Sequence, residues 1–452
     1  MKHSKASMLQ GSAVKSILLF ALPILFASLL QFNYTLVDNI IVGRYVGKDA
    51  LAAVGNVGSI NSFIIGAALG LTSGFTIPVA HAFGAGDKEK VSRYSGSSIS
   101  LAFLIGSIIV IIAHIISTPL LKLIGTPDEI IGLSASYVNI LYFGVPLQML
   151  SNNFTAISRA VGESKKPLYF FTASVCVNFI LDILFVKNFG WGVEGAAIAT
   201  LISHLTACIL TGFYIFKINE DVELRPSSLK LKKKTVIEQL KLGIPVSLQF
   251  TITSIGTMCL QSAINSFGAN VMAGLTAASR VENVTNISMS AIGVSTQTFV
   301  GQNYGAKNYK RITDSVKKMF FLELAISVVM SIILITVGPH IVSVFITIPN
   351  EEMLFASKRY LLAIAECYSL VSILFILRNT LQGLGFTYAN AVAGAGELIG
   401  RILVSIILVR FFGFDIVIYA APTASLMADI PLAIIYLKKQ KEFKKLTDTN
   451  ND

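Results

Sequence analysis

Long apolar runs alternate with short polar breaks along the chain from Ile17 to Leu437. Each run is about 20 residues or more, enough for a helix to cross a hydrocarbon layer of roughly 30 Å. The runs are continuous and lack the period-two alternation of about ten-residue barrel strands, so membrane-spanning helices are predicted. Breaking the chain at its polar loops gives twelve of them, over 17–43, 52–80, 95–117, 131–153, 167–188, 193–216, 237–262, 273–300, 319–345, 354–380, 387–410 and 416–437. The expected fold class is an all-α membrane protein.

Composition agrees. Of 452 residues, 54% are hydrophobic and 13% charged, against about 25% charged in soluble domains. The first apolar run continues past signal-peptide length with no small-residue cleavage site, and reads as a retained helix. Basic side chains set the orientation, because they resist translocation. Alternate loops hold 27 of the 36 Lys and Arg residues, the opposite loops seven, and the helices two, Arg280 and Arg401. The basic loops include Arg159, the Lys217 to Lys241 connector and Arg378. Both termini are therefore expected in the cytoplasm, in an inner-membrane protein. This bias, facing anionic lipid headgroups, accounts for the net charge of +11 and leaves no need for a nucleic-acid partner. The four cysteines fall in apolar runs without metal-ligand spacing and read as packing residues.

The one long polar connector, 220–235, divides the chain into halves that resemble each other. AlaLeuPro at 21–23 answers GlyIlePro at 243–245. AlaHisAlaPheGlyAlaGlyAsp at 80–87 answers GlyGlnAsnTyrGlyAlaLysAsn at 301–308, and AlaValGly at 160–162 answers GlyLeuGly at 383–385. The near-constant offset of 221 to 223 residues argues for duplication. The expected organisation is an N-terminal lobe over 1–219, a cytoplasmic basic linker over 220–235, and a C-terminal lobe with a cytoplasmic tail over 236–452. Six helices per half give both halves the same topology, so two six-helix bundles about a pseudo-twofold axis along the membrane normal are expected.

Ionisable groups in hydrocarbon are costly, and an acid inside a predicted span is a functional candidate. Asp38 lies in helix one. Asn178 and Asp182 lie four residues apart on helix five and share a face. With the Thr200 hydroxyl of helix six these groups could ligate Na⁺, a metal-site reading centred on Asp38, Asn178 and Asp182. Alternatively the two carboxyls could share one proton. The competing interpretation makes both acids structural. Against it, the repeat puts Gln261 or Leu260 at the place of Asp38, Arg401 at that of Asn178 and Ser405 at that of Asp182. The acids were thus not duplicated with the fold, which assigns ion coupling to the N-terminal half. Tyr137 and Gln148 on helix four could line the same cavity. In the second half Glu282 and Glu366 could meet a cationic substrate. Glu397 and Arg401, one turn apart on helix eleven, read as an intrahelical pair, with Arg401 a further candidate for the cleft. Asp429 and Glu323 are expected near helix ends, solvated or locally paired. Pro23 and Pro245 each free a backbone carbonyl, giving either a hinge or a static kink.

Over nearly its full length the chain resembles the multidrug and toxic compound extrusion (MATE) family. The likeness rests on LeuPro at 22–23, ValAspAsnIleIleValGly at 37–43, AspAlaLeuAlaAlaValGly at 49–55, PheGlyAlaGlyAsp at 83–87, AlaAlaSerArgValGlu at 277–282 and ValGlyGlnAsnTyrGlyAla at 300–306. The resemblance implies a twelve-helix, two-lobe antiporter that exports drug-like molecules, is driven by H⁺ or Na⁺ and has no cofactor. It also implies cation ligands at Asp38, Asn178, Asp182 and Thr200, a backbone carbonyl at Ala196, a cavity tyrosine at Tyr137 and a helix bend at Pro23. Members with a C-lobe ion site use acids on helices seven and ten; here helix seven is read as having none and Glu366 on helix ten either corresponds or does not, which weakens a C-lobe ion site and leaves Glu366 a substrate role.

A single chain is expected to act without a partner subunit. A flippase for lipid-linked precursors would keep the fold but need a cationic cleft, and only Arg280 and Arg401 stand deep. A membrane enzyme would need a nucleophile or metal constellation, which the sequence does not display.

Overall fold

A computed structural model describes residues 8–123, 125–345 and 350–449, which are helical apart from short connections and contain no strand. Twelve long segments follow one another: α1 (Ala13–Tyr45), α2 (Lys48–Phe75, continued by Ile77–Gly84), α3 (Lys88–Leu123), α4 (Asp128–Phe143 and Val145–Ala160), α5 (Lys165–Asp182, continued by Ile183–Asn188) and α6 (Gly192–Phe213, continued by Tyr214–Ile218). Then come α7 (Lys233–Asn265), α8 (Ala269–Gly305), α9 (Tyr309–Thr336), α10 (Glu351–Glu366 and Tyr368–Gly383), α11 (Tyr388–Ile402, continued by Leu403–Leu408 and Val409–Phe412) and α12 (Ala420–Thr449). They coincide with the twelve expected spans. Nine are long and apolar enough to cross a membrane as single helices, and α4 and α10 qualify as bent pairs. α8 is the twelfth; it has the length, 37 residues, but Arg280, Glu282 and several amides make it too polar for hydropathy alone.

The duplication persists in backbone detail. α4 bends by 45° after Phe143 and α10 by 53° after Glu366. Wide i→i+5 turns follow Asp182 in α5 and Ile402 in α11. Left-handed residues recur at the sequence offset, as at Gly47 and Gly268, Gly162 and Gly385, and Gly190 and Gly413. Gly86 (φ 72°) has Lys307 (φ 59°) as its counterpart, the one described non-glycine with positive φ. Lys307 carries a Cβ where the first half has none, at a cost of about 1–2 kcal/mol. Next to Gly86, Asp87 accepts hydrogen bonds from the Lys90 ammonium (2.8 Å) and the Lys90 amide (3.0 Å). These hold its carboxyl below the usual carboxylate range and start α3 as a cap does.

Burial is inverted relative to a soluble protein. Ile40, Ile111, Ile115 and Phe411 are exposed, whereas Ser95, Ser98, Asn153, Thr296, Asn303 and Asn390 are buried. Apolar surface turned outward suits lipid, and buried hydroxyls and amides bind helix to helix.

The chain packs as two compact units. One is Leu22–Ser247; the other is Leu248–Asp452 with the N-terminal stretch that ends at Ala21. α1 therefore changes unit just before Pro23, and α7 just after Pro245. In the first unit Gln239 donates to the Phe75 and Tyr94 carbonyls at 3.0 and 2.8 Å. In the second, Arg311 donates to the Gly11 and Gln10 carbonyls at 2.8 and 3.0 Å.

Small residues allow the closest crossings. A Cβ on Gly396 would stand 2.6 Å from the Met427 carbonyl oxygen, and one on Gly400 would stand 2.7 Å from the Ala424 Cα. α11 and α12 thus meet backbone to backbone. Gly400→Val should push them apart, cost about 1–3 kcal/mol or more, and lower the thermal midpoint of the detergent-purified protein. Gly132→Ala, where a new Cβ meets nothing within 4 Å, should leave that midpoint unchanged.

Candidate functional site

Three helices of the first unit bring oxygen atoms together. On α1, Tyr34 and Asp38 are one turn apart and share a face. On α5, Asn178 and Asp182 do the same, and on α6 so do Ala196 and Thr200. Asp38 (8% exposed) and Asp182 (1%) are both buried, with their carboxyl groups in hydrogen-bonding reach of each other. The Tyr34 and Thr200 hydroxyls are 3.2 Å apart. Tyr137, buried, stands in the field of both acids and of Tyr34.

Apolar residues wall the cluster off: Ile41, Val42, Val57, Val138, Val186 and Ala197 belong to the same buried core as Tyr137 and Ala196. One oxygen each of Asp38 and Asp182, and the Asn178 amide nitrogen, have no hydrogen-bond partner. Two carboxylates in each other's field away from water repel unless a positive charge lies between them. The donors here are hard oxygens from carboxyl, hydroxyl and backbone carbonyl, a set that fits a proton or a small alkali cation and offers no soft ligand. The wide turn after Asp182 recurs in α11 without an acid, so it belongs to the fold and is not peculiar to this cluster.

Beside the acids, the first unit encloses a cavity of about 130 Å³ whose lining includes Pro23, Gln31, Tyr34, Gln148, Arg159 and His204. Gln148 is one of the residues that line this cavity. α1 runs unbroken through Pro23 in this structure.

The second-unit candidates are scattered among separate contacts. Glu282 is buried and accepts from the Tyr360 hydroxyl at 2.6 Å and the Asn286 amide at 3.3 Å; Tyr368 in turn donates to Asn286 at 3.0 Å. Glu366, at the α10 bend, is exposed and accepts from the Tyr419 hydroxyl at 2.9 Å. Arg401 is engaged locally, with Glu397 at 3.5 Å and the Thr253 carbonyl at 3.2 Å. Glu397 is held more closely by Arg378 at 3.0 Å, which lies inside α10 and not in the cytoplasmic loop expected for it. Glu323 and Asp429 also depart from expectation. All four of their carboxyl oxygens are buried without a hydrogen-bond partner, because the faces of α9 and α12 that carry them turn inward.

Two residues of the first unit escaped the sequence reading. Tyr34 could have been found from its spacing, one turn before Asp38. Arg159 was counted with the cytoplasmic basic loops, yet it occupies the last turn of α4 and faces the cavity.

Comparison with known proteins places this architecture among described ones. The sequence profile of the MatE family matches twice, over residues 23–184 and 245–408, each match beginning at the proline of α1 or α7. The probable multidrug resistance protein YoeA of Bacillus subtilis is 28% identical over 381 residues, covering 83% of this chain and 82% of its own. The multidrug export protein MepA of Staphylococcus aureus is 23% identical over 439 residues, covering 94% of each. Among solved structures, the outward-facing conformation of a multidrug resistance MATE family transporter superposes with a TM-score of 0.91 at 22% identity, covering 98% of this chain and 99% of that one. The last likeness speaks for the fold.

Proposed function

Because the chain belongs to the MatE family of membrane transporters, we propose that it exports lipophilic or cationic small molecules in exchange for an inward-moving H⁺ or Na⁺. Its relatives' names, multidrug resistance and multidrug export, support the cargo class. The observation that carries the coupling is that Asp38 and Asp182 are both buried in the first unit, each within the other's electrostatic influence and each with an oxygen that has no hydrogen-bond partner.

In this proposal the cation takes up the Asp38–Asp182 pair. Thr200, the Asn178 amide and the Ala196 carbonyl complete its shell, and Tyr34 and Tyr137 hold the carboxyls in place. Cation and cargo each favour one of two arrangements of the lobes, so exchange proceeds by alternating access. The lobes are taken as 1–219 and 236–452, joined by the 220–235 linker, with both termini in the cytoplasm and one chain sufficient. Pro23 and Pro245, next to the points where α1 and α7 change unit, are the bending points.

Proteoliposomes loaded with a fluorescent cation test this directly. Imposing a pH gradient and a sodium gradient separately should drive dye movement under at least one of them. Dye that moves under neither gradient refutes coupled export.

A further inference from the structure

We propose that Arg159 forms an anion subsite in the first-unit cavity, so that this transporter selects amphiphiles carrying a carboxylate or similar anionic head, zwitterions included. This rests on the export reading above and modifies its cargo class, adding an anionic head to the lipophilic or cationic body.

The Arg159 backbone carbonyl accepts from the Gly162 amide at 2.9 Å, but its side chain has no hydrogen bond or ion pair with a described residue and its Nε is buried without a partner. Arg93 and Arg311 also have a buried, unpartnered Nε, but Arg93 stands over the Tyr94 ring and Arg311 donates to backbone carbonyls, while Arg378 and Arg401 are paired with Glu397; of these arginines only Arg159 lines the cavity. Glu163, the nearest acid in sequence, is spent on α5, where it accepts from the Lys165 and Lys166 amides at 2.8 and 3.2 Å. No carboxylate is among the described residues that line the cavity. A guanidinium out of bulk water without an anion is an incomplete arrangement. Its planar fork of donors matches a carboxylate through two parallel hydrogen bonds.

The remaining walls suit an amphiphile. Ile24, Leu168, Phe171 and Val175 are apolar, and Gln148 and Asn152 supply amide hydrogen bonds. At about 130 Å³ the cavity takes a charged head and an adjoining ring, well below the roughly 300–1,000 Å³ of a whole drug site. Tyr34 lines this cavity and stands in the field of Asp38, so the cavity that holds Arg159 extends toward the acids.

The test uses the full chain in phosphatidylcholine nanodiscs, with a fluorescent quinolone carboxylic acid, zwitterionic at neutral pH, and its methyl ester, which keeps the amine and loses the anion. Wild type should bind the acid about tenfold more tightly than the ester, as one charge-assisted fork allows. Arg159→Gln should erase that preference by weakening the acid alone, and Arg159→Lys should keep part of it. Equal affinities in wild type, which need no variant to fold, overturn the proposal, as does a preference that survives Arg159→Gln. Phosphatidylglycerol added to the discs should leave the preference in place; its loss would assign the cation to lipid headgroups and overturn the proposal too. Binding is read without a gradient, so its failure leaves gradient-driven export of the ester as a separate test of the transport reading.

Discussion

Replacing Asp38 or Asp182 by asparagine is expected to stop ion-driven export while leaving the protein folded and inserted. The two carboxyls are buried in each other's field, out of water, and each has an oxygen without a partner. A cation entering the site is stabilised by their combined charge. Once one charge is gone, holding the cation becomes less favourable by an amount comparable to placing a charge in the membrane interior, about 2.5–3.5 kcal/mol on insertion scales. At about 1.4 kcal/mol per decade, that is a loss of roughly 100-fold or more in ion-driven dye movement. Stability should move the other way. Removing one of two buried like charges relieves their repulsion, so the thermal midpoint of either variant should equal or exceed that of the parent. Because the pair acts as one unit, the double variant should be no slower than either single one. A single variant that keeps half the parental rate in proteoliposomes would sink the coupling role.

Most of the fold was legible because a bilayer imposes length. Any apolar run of sufficient reach must be a helix, and breaking the chain at its polar loops supplied α8 where hydropathy alone rejects it. The acid pair was legible for a related reason, since intramembrane charge is rare enough for carboxylates on the first and fifth predicted helices to stand out. Facing was much harder to read. Membrane helices are apolar on nearly every side, so the periodicity that tells inside from outside in a soluble helix is faint. Glu323 and Asp429 were for that reason expected near water, and the structure buries both. Arg159 and Arg378 show a second limit. A rule that counts basic residues near helix ends addresses orientation alone, and it cannot separate a lysine facing lipid headgroups from an arginine folded back into its lobe.

The second large effect is expected at Glu397. Its side chain is 4% exposed and lies between the Arg378 and Arg401 guanidiniums, each 15% exposed, at 3.0 and 3.5 Å, while Thr253 donates to it at 3.0 Å. Glu397→Gln keeps the volume and removes the charge, leaving two arginines facing each other with little water. Breaking a buried pair by deleting one partner costs about 3–5 kcal/mol, a large fraction of the roughly 5–15 kcal/mol that holds an ordinary protein folded. Asp429 stands in the field of Arg378 and Glu397 but makes no hydrogen bond of its own, so Asp429→Asn should cost less. If the loss comes from stranded charge, it must be recoverable by removing the arginines as well. The triple change Glu397→Met, Arg378→Met and Arg401→Met should therefore be more stable than Glu397→Gln alone, because well-packed apolar groups replace buried ion pairs at little net cost. Thermal unfolding followed by fluorescence-detected size exclusion ranks the variants. A Glu397→Gln protein as stable as the parent, or a triple variant worse than the single one, would mean that these charges do not hold the second unit together.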